Sequence, residues 1–171
     1  ELLVFAVLAL ILSAIYLYLF SRHKERFLQY WGFSSIAYFC SLLCLILFIT
    51  YEQQYFLEIR KVADMFNLLF LMFGTYSFTN TKTPDYWYRF SLYLLLLAVI
   101  CIIYHVELLS FYLPISVYQF IITCTICVCV IRRWRVSGIE RVMSSLIFFI
   151  WGTVKTSLSI FEVFTEMSYN Y

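Results

Sequence analysis

Runs of about 20 mostly apolar residues recur along the whole chain, and they constrain its fold more than any other feature. An α-helix rises 1.5 Å per residue, so each run is long enough to cross a hydrocarbon core of about 30 Å. The 171 residues are 64% hydrophobic and 13% charged, against about 45–50% apolar and about 25% charged in soluble proteins. We therefore expect an all-α integral membrane protein surrounded by the lipid bilayer.

The apolar runs divide into six predicted helices within a single transmembrane domain that covers residues 1–171. The helices cover residues 2–20, 30–50, 62–78, 87–106, 111–131 and 142–164. A polar approach to the third helix extends back to Glu58. Pro84 lies between the third and fourth helices, and Pro114 is predicted in the first turn of the fifth, where a missing N–H costs nothing. These features predict a polytopic helix bundle with six transmembrane helices.

Lysine and arginine are distributed unevenly over the connections between these helices. The first, third and fifth connections carry Arg22, Lys24, Arg26, Lys82, Arg89, Arg132, Arg133, Arg135 and Arg141. The second connection carries only Arg60 and Lys61. Because cytoplasmic loops carry the excess of such residues, we expect the odd-numbered connections in the cytoplasm and the amino terminus outside. Six spans would leave the carboxyl end outside as well, which favours a seventh helix after Tyr171.

The chain contains none of the short motifs that mark common catalytic or nucleotide-binding sites. H-E-x-x-H, G-x-S-x-G, the P-loop and the Gly-rich dinucleotide turn are all absent from the sequence. The six cysteines lie within apolar runs, at Cys40, Cys44, Cys101, Cys124, Cys127 and Cys129. We interpret them as small packing residues and expect neither a metal site nor a cofactor. The net charge of +2 gives no reason to expect a nucleic-acid partner.

The sixth predicted helix carries polar residues in the middle of an apolar run. Lys155, Ser159 and Glu162 are spaced i, i+4 and i+7 on one face, and Gly152, one turn earlier, would let a neighbouring helix come close. A charge at the centre of a bilayer costs roughly 2.5–3.5 kcal/mol on insertion scales. Lys155 is therefore expected either to meet a partner inside the bundle or to reach the interface with its long side chain.

Two other predicted helices carry polar faces at a similar depth. Asp64 and Asn67 share a face of the third helix with Gly74, which is a second candidate for close helix packing. The fifth helix carries Ser116, Gln119 and Thr123 at i, i+3 and i+7. Together with the sixth helix, these faces predict a ligand pocket in the outer half of the membrane. The alternatives are solvation of Asp64 and Glu162 at the interface and an interhelical hydrogen bond from Gln119.

The stretches RHKERFLQYWGFSSIAY, LLFLMFGTYSFTNTKTPDYW and FFIWGTVK follow one another along the chain. In this order they resemble the amino-terminal membrane domains of bacterial sensor histidine kinases and diguanylate cyclases. The last stretch resembles a Trp-Gly-x-x-Lys pattern of that family at Trp151, Gly152 and Lys155. The resemblance implies about seven membrane helices that lead into a cytoplasmic kinase or cyclase domain. That domain would hold any catalytic site, and the protein would form a homodimer through it.

The leading hypothesis is therefore a sensor domain in the bacterial cytoplasmic membrane that binds a small or lipid-like ligand and relays the signal to a cytoplasmic output domain. One alternative is the six-helix substrate-binding subunit of a vitamin importer. That class keeps its amino terminus in the cytoplasm, and its small-residue docking pattern is only loosely approached by Ala6, Ala9, Ser13 and Ala14. A further alternative is a structural subunit of a membrane complex.

Overall fold

The computed structural model describes residues 2–104 and 108–133, together with residues 143, 145–147, 149, 150, 153 and 154. Every element within these residues is an α-helix, so the prediction of an all-α fold is confirmed. The helices are α1 (Leu2–His23), α2 (Arg26–Tyr51), α3 (Tyr55–Phe78), α4 (Asp85–Tyr104) and α5 (Leu108–Arg133). The described residues between 143 and 154 are helical as well.

Three helices in the described part of the chain are long and apolar enough to cross a membrane. They cover Leu2–His23, Arg26–Tyr51 and Pro114–Arg132. The first of them exposes large apolar side chains along most of its length, among them Leu3, Leu8, Ile11 and Ile15. A soluble monomer does not expose an apolar surface of this extent, whereas a lipid-facing helix does.

The chain divides into two compact units, Glu1–Leu95 and Leu96–Tyr171. Within the first unit α2 packs against both α1 and α3. Ala6, Ala9 and Ser13 form a buried stripe of small residues on α1. A Cβ on Gly32 would lie only 2.9 Å from Leu17 Cδ2, so the glycine lets α1 approach α2 closely.

Left-handed residues end the first two helices abruptly. Lys24 has a φ of 59°, and its N–H donates to the Phe20 carbonyl at 2.8 Å. Only Lys24 and Glu25 separate α1 from α2, so the first connection is a two-residue turn. Glu52 has a φ of 53°, and its N–H donates in the same way to the Phe48 carbonyl at 2.7 Å. Both turns reverse the chain within a few residues, as expected between antiparallel neighbours.

The third helix begins earlier than the sequence predicted, at Tyr55 instead of near residue 62. Arg60 and Lys61, which the sequence places in the second connection or in a polar approach to the helix, lie within α3. Glu58, Arg60 and Lys61 lie in its first two turns, ahead of the apolar run, and Lys61 is buried within the unit. The helix ends in a polar cap in which the Thr79 hydroxyl donates to the Thr75 carbonyl at 2.9 Å.

The second unit contains α5, which carries Pro114 inside the helix. The prediction that Pro114 lies in the first turn was wrong, because α5 begins at Leu108. Further along, α5 contacts the helical residues that follow it. The Cys127 thiol donates to the Ser145 carbonyl, and the Ser145 hydroxyl donates to the Cys127 carbonyl, each at 3.4 Å.

Candidate functional site in the helix α2 and α3 interface

Three polar residues at intervals of three lie buried on one face of α3. Lys61, Asp64 and Asn67 are exposed by only 2%, 3% and 4% of their surface. Residues three apart on a helix are neighbours on its surface, so the three side chains form a continuous polar stripe. The stripe is surrounded by buried apolar residues of the same helix, including Met65 and Leu68.

Two serines of α2 bind this stripe from the opposite side of the interface. The Ser41 hydroxyl donates to Asp64 Oδ1 at 2.7 Å. The Ser34 hydroxyl lies 2.7 Å from Asn67 Oδ1 and 2.9 Å from the Asn67 carbonyl oxygen, and it donates to this pair of acceptors. Ser34, Ser41, Lys61, Asp64 and Asn67 are called the α2–α3 polar cluster below.

The cluster contains a basic and an acidic side chain that are both buried away from water. The Lys61 ammonium and the Asp64 carboxylate belong to buried side chains one helical turn apart. Arg60 precedes Asp64 by four residues on the same helix and adds a second positive charge near the carboxylate. Removing a lone charge from water costs several kcal/mol, so opposite charges and hydrogen bonds are needed to hold these groups inside the bundle.

The cluster lies deep along the helix. Asp64 is nine residues after Tyr55, where α3 begins, which corresponds to about 14 Å along the axis at 1.5 Å per residue. Asn67 is one turn further towards the middle. A solvated position at the interface was one alternative for Asp64, and the burial of its side chain within the first unit counts against it.

Gly74 lies against the indole ring of Trp31, at the end of the interface away from Lys61. A Cβ at this position would overlap the indole, so the absence of a side chain lets Trp31 of α2 rest on α3. Trp31 also contacts Phe27 and Phe78, with ring centroids 5.2 and 5.6 Å away. An aromatic cluster therefore closes this end of the α2–α3 interface.

An apolar groove runs beside the cluster on the same two helices. It has a volume of about 400 Å³, within the range of about 300–1,000 Å³ that ligand pockets occupy. Its lining is entirely apolar and consists of Phe33, Ile36, Ala37, Cys40, Ala63, Phe66 and Phe70. The interface thus combines a buried polar stripe with an open apolar groove.

The predicted polar face of α5 is buried in the second unit. Ser116, Gln119 and Thr123 are all inaccessible to solvent, and Gln119 is only 2% exposed. The Thr123 hydroxyl donates to the Gln119 carbonyl at 2.9 Å. Neither the side-chain oxygen nor the side-chain nitrogen of Gln119 has a hydrogen-bond partner in the described part of the chain.

Five of the predicted site residues lie outside the described residues. They are Trp151, Gly152, Lys155, Ser159 and Glu162. The meeting of the third, fifth and sixth helices in one outer pocket therefore stays a prediction. Asp64 and Asn67 lie in the first unit and Gln119 in the second.

Sequence reasoning missed Ser34, Ser41 and Lys61. Lys61 precedes Asp64 by three residues and Asn67 by six, and this spacing alone was sufficient to place it on the same helical face. The serines carry no comparable signal, because serine is common wherever helices pack closely. Their role depends on the register of α2 against α3.

The side chains of the cluster are chemically suited to binding polar or charged groups. Carboxylate, ammonium, amide and hydroxyl groups can each hold a polar or charged ligand group. Within the described residues, no three His, Cys, Asp or Glu side chains are grouped so that they could hold a metal ion.

Comparisons of the chain with protein-family models, with curated proteins and with solved structures found no match. The function is therefore inferred from the chain's own residues.

Proposed function

We propose that this chain is a membrane-embedded signal-input domain in which a small or lipid-like ligand acts on the α2–α3 polar cluster. The observation that carries the proposal is the burial of Lys61 and Asp64 in an interface where Ser41 binds the carboxylate. Ionisable residues inside membranes are costly, and they typically mark ligand sites, ion pathways or proton relays.

The cluster offers a switch between two packings of α2 against α3. In the packing described above, the Ser34 and Ser41 hydroxyls both bond to α3. A ligand changes the balance between two packings only if it binds one of them more tightly. A polar headgroup that competes for these hydroxyls would have this effect, and the adjacent groove has room for an apolar tail.

We propose a multi-pass protein of the bacterial cytoplasmic membrane with six of about seven spans, an outside amino terminus and a cytoplasmic kinase or cyclase domain through which it dimerises. Support comes from the three helices of spanning length. Exposed Arg22, Lys24 and Arg26 at the α1–α2 turn favour a cytoplasmic position for that turn.

The packing of α1 counts against the vitamin-importer alternative. The substrate-binding subunit of such an importer would need small residues on α1 that remain accessible to a partner. Ala6, Ala9 and Ser13 are buried inside the molecule, and only Ala14 of that pattern is exposed.

The test is to substitute cluster residues in the full-length gene product and to measure its basal output. For a kinase the readout is autophosphorylation, and for a cyclase it is cyclic dinucleotide synthesis. We expect Asp64→Asn and Ser34→Ala each to change the output by about fivefold or more, which is the lower range of typical coupling between sites.

A matched control lies next to Ser34. The Ser35 hydroxyl donates to the Trp31 carbonyl of its own helix at 3.0 Å, so Ser35→Ala removes a serine hydroxyl without touching the α2–α3 bonds. Output should stay at the wild-type level in this variant. If Asp64→Asn and Ser34→Ala reach normal membrane levels and signal like Ser35→Ala, the cluster has no role in signalling.

A further inference from the structure

Exposed cations collect at one end of the first unit. Arg22, Lys24 and Arg26 surround the α1–α2 turn, and Lys82 and Arg89 flank the start of α4; all five are exposed. The exposed acids in the same segments are Glu25 and Asp85. Five cations against two acids leave an excess of three positive charges, and these five cations are called the basic end below.

Ring contacts bring the two basic connections together. Phe27, which follows Arg26, lies 5.1 Å from the ring of Phe78, the last residue of α3. Phe73 of α3 stacks at 4.7 Å on Tyr88, which precedes Arg89. The α1–α2 turn and the α3–α4 connection therefore lie at the same end of the helices, although they are distant in sequence.

The cations at the α1–α2 turn lie over aromatic rings. The Arg22 guanidinium lies 5.7 Å from the centroid of the Tyr18 ring, and the Lys24 ammonium lies 5.8 Å from that of Phe20. The Arg22 Nε also donates to the Tyr18 hydroxyl at 3.3 Å. Long basic side chains beside aromatic rings at the end of an apolar helix are typical of the membrane–water interface.

We propose that the basic end binds the headgroups of anionic phospholipids. Clusters of lysine and arginine next to a spanning helix attract anionic lipids, with a strength that grows with each added cation. Inorganic phosphate offers similar oxygen acceptors. A lipid headgroup is the better fit because exposed apolar residues of α1 continue directly from the basic end and would contact its acyl chains.

The test uses the full chain reconstituted in phosphatidylcholine vesicles that contain brominated lipid, which quenches nearby tryptophan. Trp134→Phe and Trp151→Phe leave Trp31 and Trp87 as reporters, and both lie near the basic end. We expect brominated phosphatidylglycerol to associate about tenfold more tightly than brominated phosphatidylcholine. Added salt should reduce this preference.

Variants with altered charge test whether the basic end causes the preference for phosphatidylglycerol. In the variant Arg26→Gln/Lys82→Gln/Arg89→Gln the preference should fall to about the level of phosphatidylcholine, whereas Glu25→Gln, which removes an opposing acid, should raise it. Circular dichroism checks that the helices remain. Equal quenching by both lipids in the wild type, or an unchanged preference in the triple variant, overturns the proposal. Displacement of brominated phosphatidylglycerol by inorganic phosphate at matched ionic strength would overturn the assignment to lipid.

Discussion

At the scale of single residues, Lys61 and Asp64 are side chains of opposite charge that lie buried three residues apart on one face of α3. Replacing one of them takes an opposite charge away from the neighbourhood of the other in a low-dielectric interior. Replacing both residues removes both charges from the interior. The energetic value of the pair is therefore better measured by a double-mutant cycle than by either substitution alone.

We predict that Lys61→Met or Asp64→Leu alone lowers the free energy of unfolding by about 3–5 kcal/mol. The double variant Lys61→Met/Asp64→Leu should lose much less, because it buries no uncompensated charge. Unfolding with sodium dodecyl sulfate from mixed micelles, followed by circular dichroism, measures all four proteins. Strictly additive losses would show that the two side chains do not interact.

A second prediction at this scale concerns Gly74. Gly74→Ala should lower the free energy of unfolding by about 1–3 kcal/mol, because the new methyl group overlaps the Trp31 indole and the α2–α3 interface must open. The same micelle titration measures the loss. Gly32→Ala is the matched control, since its methyl group would meet the movable end of Leu17 at 2.9 Å and should cost less. A larger loss for Gly32→Ala would contradict this interpretation of the interface.

Two of the five residues in the α2–α3 polar cluster could be predicted from the sequence. Asp64 and Asn67 were predicted because a carboxylate and an amide in an apolar run need partners. Lys61 was assigned to a connection because it lies ahead of the hydrophobic run. The hydrogen bonds of the two serines depend on the register of α2 against α3. This register follows from the fit of side chains such as Trp31 against Gly74, and the sequence of one helix does not reveal it.

At the scale of elements, the end of α3 shows how the chain turns without glycine. Asn80 adopts a φ of 55°, a left-handed conformation that asparagine tolerates better than most residues. The Thr81 N–H donates to the Tyr76 carbonyl at 2.9 Å, and the Asn80 N–H donates to the Ser77 carbonyl at 3.1 Å. These bonds satisfy carbonyls that would otherwise be unpaired at the helix end.

We predict that Asn80→Ala lowers the free energy of unfolding by about 1–2 kcal/mol, because alanine is strained in the left-handed region. Asn80→Gly is the matched variant, and it should leave stability within about 0.5 kcal/mol of the wild type. Thermal unfolding in detergent compares the two. An alanine variant as stable as the glycine variant would show that the turn relaxes to another conformation.

Sequence reasoning was more reliable for the existence of helices than for their ends. The apolar runs indicated each of the helices α1 to α5, since length and hydropathy alone suffice for this. The start of α3 was placed too late, because Glu58, Arg60 and Lys61 precede the apolar run, so hydropathy gives no signal for the first two turns of the helix. Pro114 was predicted in the first turn of α5, but the helix begins six residues before it, at Leu108.

At the scale of the whole molecule, the topology makes a direct prediction about accessibility. In a background in which all six cysteines are replaced by alanine, Gln53→Cys in the α2–α3 connection should react with a membrane-impermeant thiol reagent from outside. Glu25→Cys in the α1–α2 turn should react only after the membrane is permeabilised. Both positions are exposed, so burial does not protect them. Reversed labelling would place the amino terminus in the cytoplasm, and labelling of both positions from one side would show that α2 does not span.

The hydrogen bonds from Ser34 and Ser41 to α3 bear on how α3 is inserted into the membrane during synthesis. Within the described residues, α3 is not among the helices apolar enough to span a membrane unaided, whereas α1 and α2 both are. The ribosome completes α2 before α3, so both serines are already available when Lys61, Asp64 and Asn67 emerge. We expect α1 and α2 to enter the translocon as a hairpin and to act there as the scaffold on which α3 is retained in the bilayer.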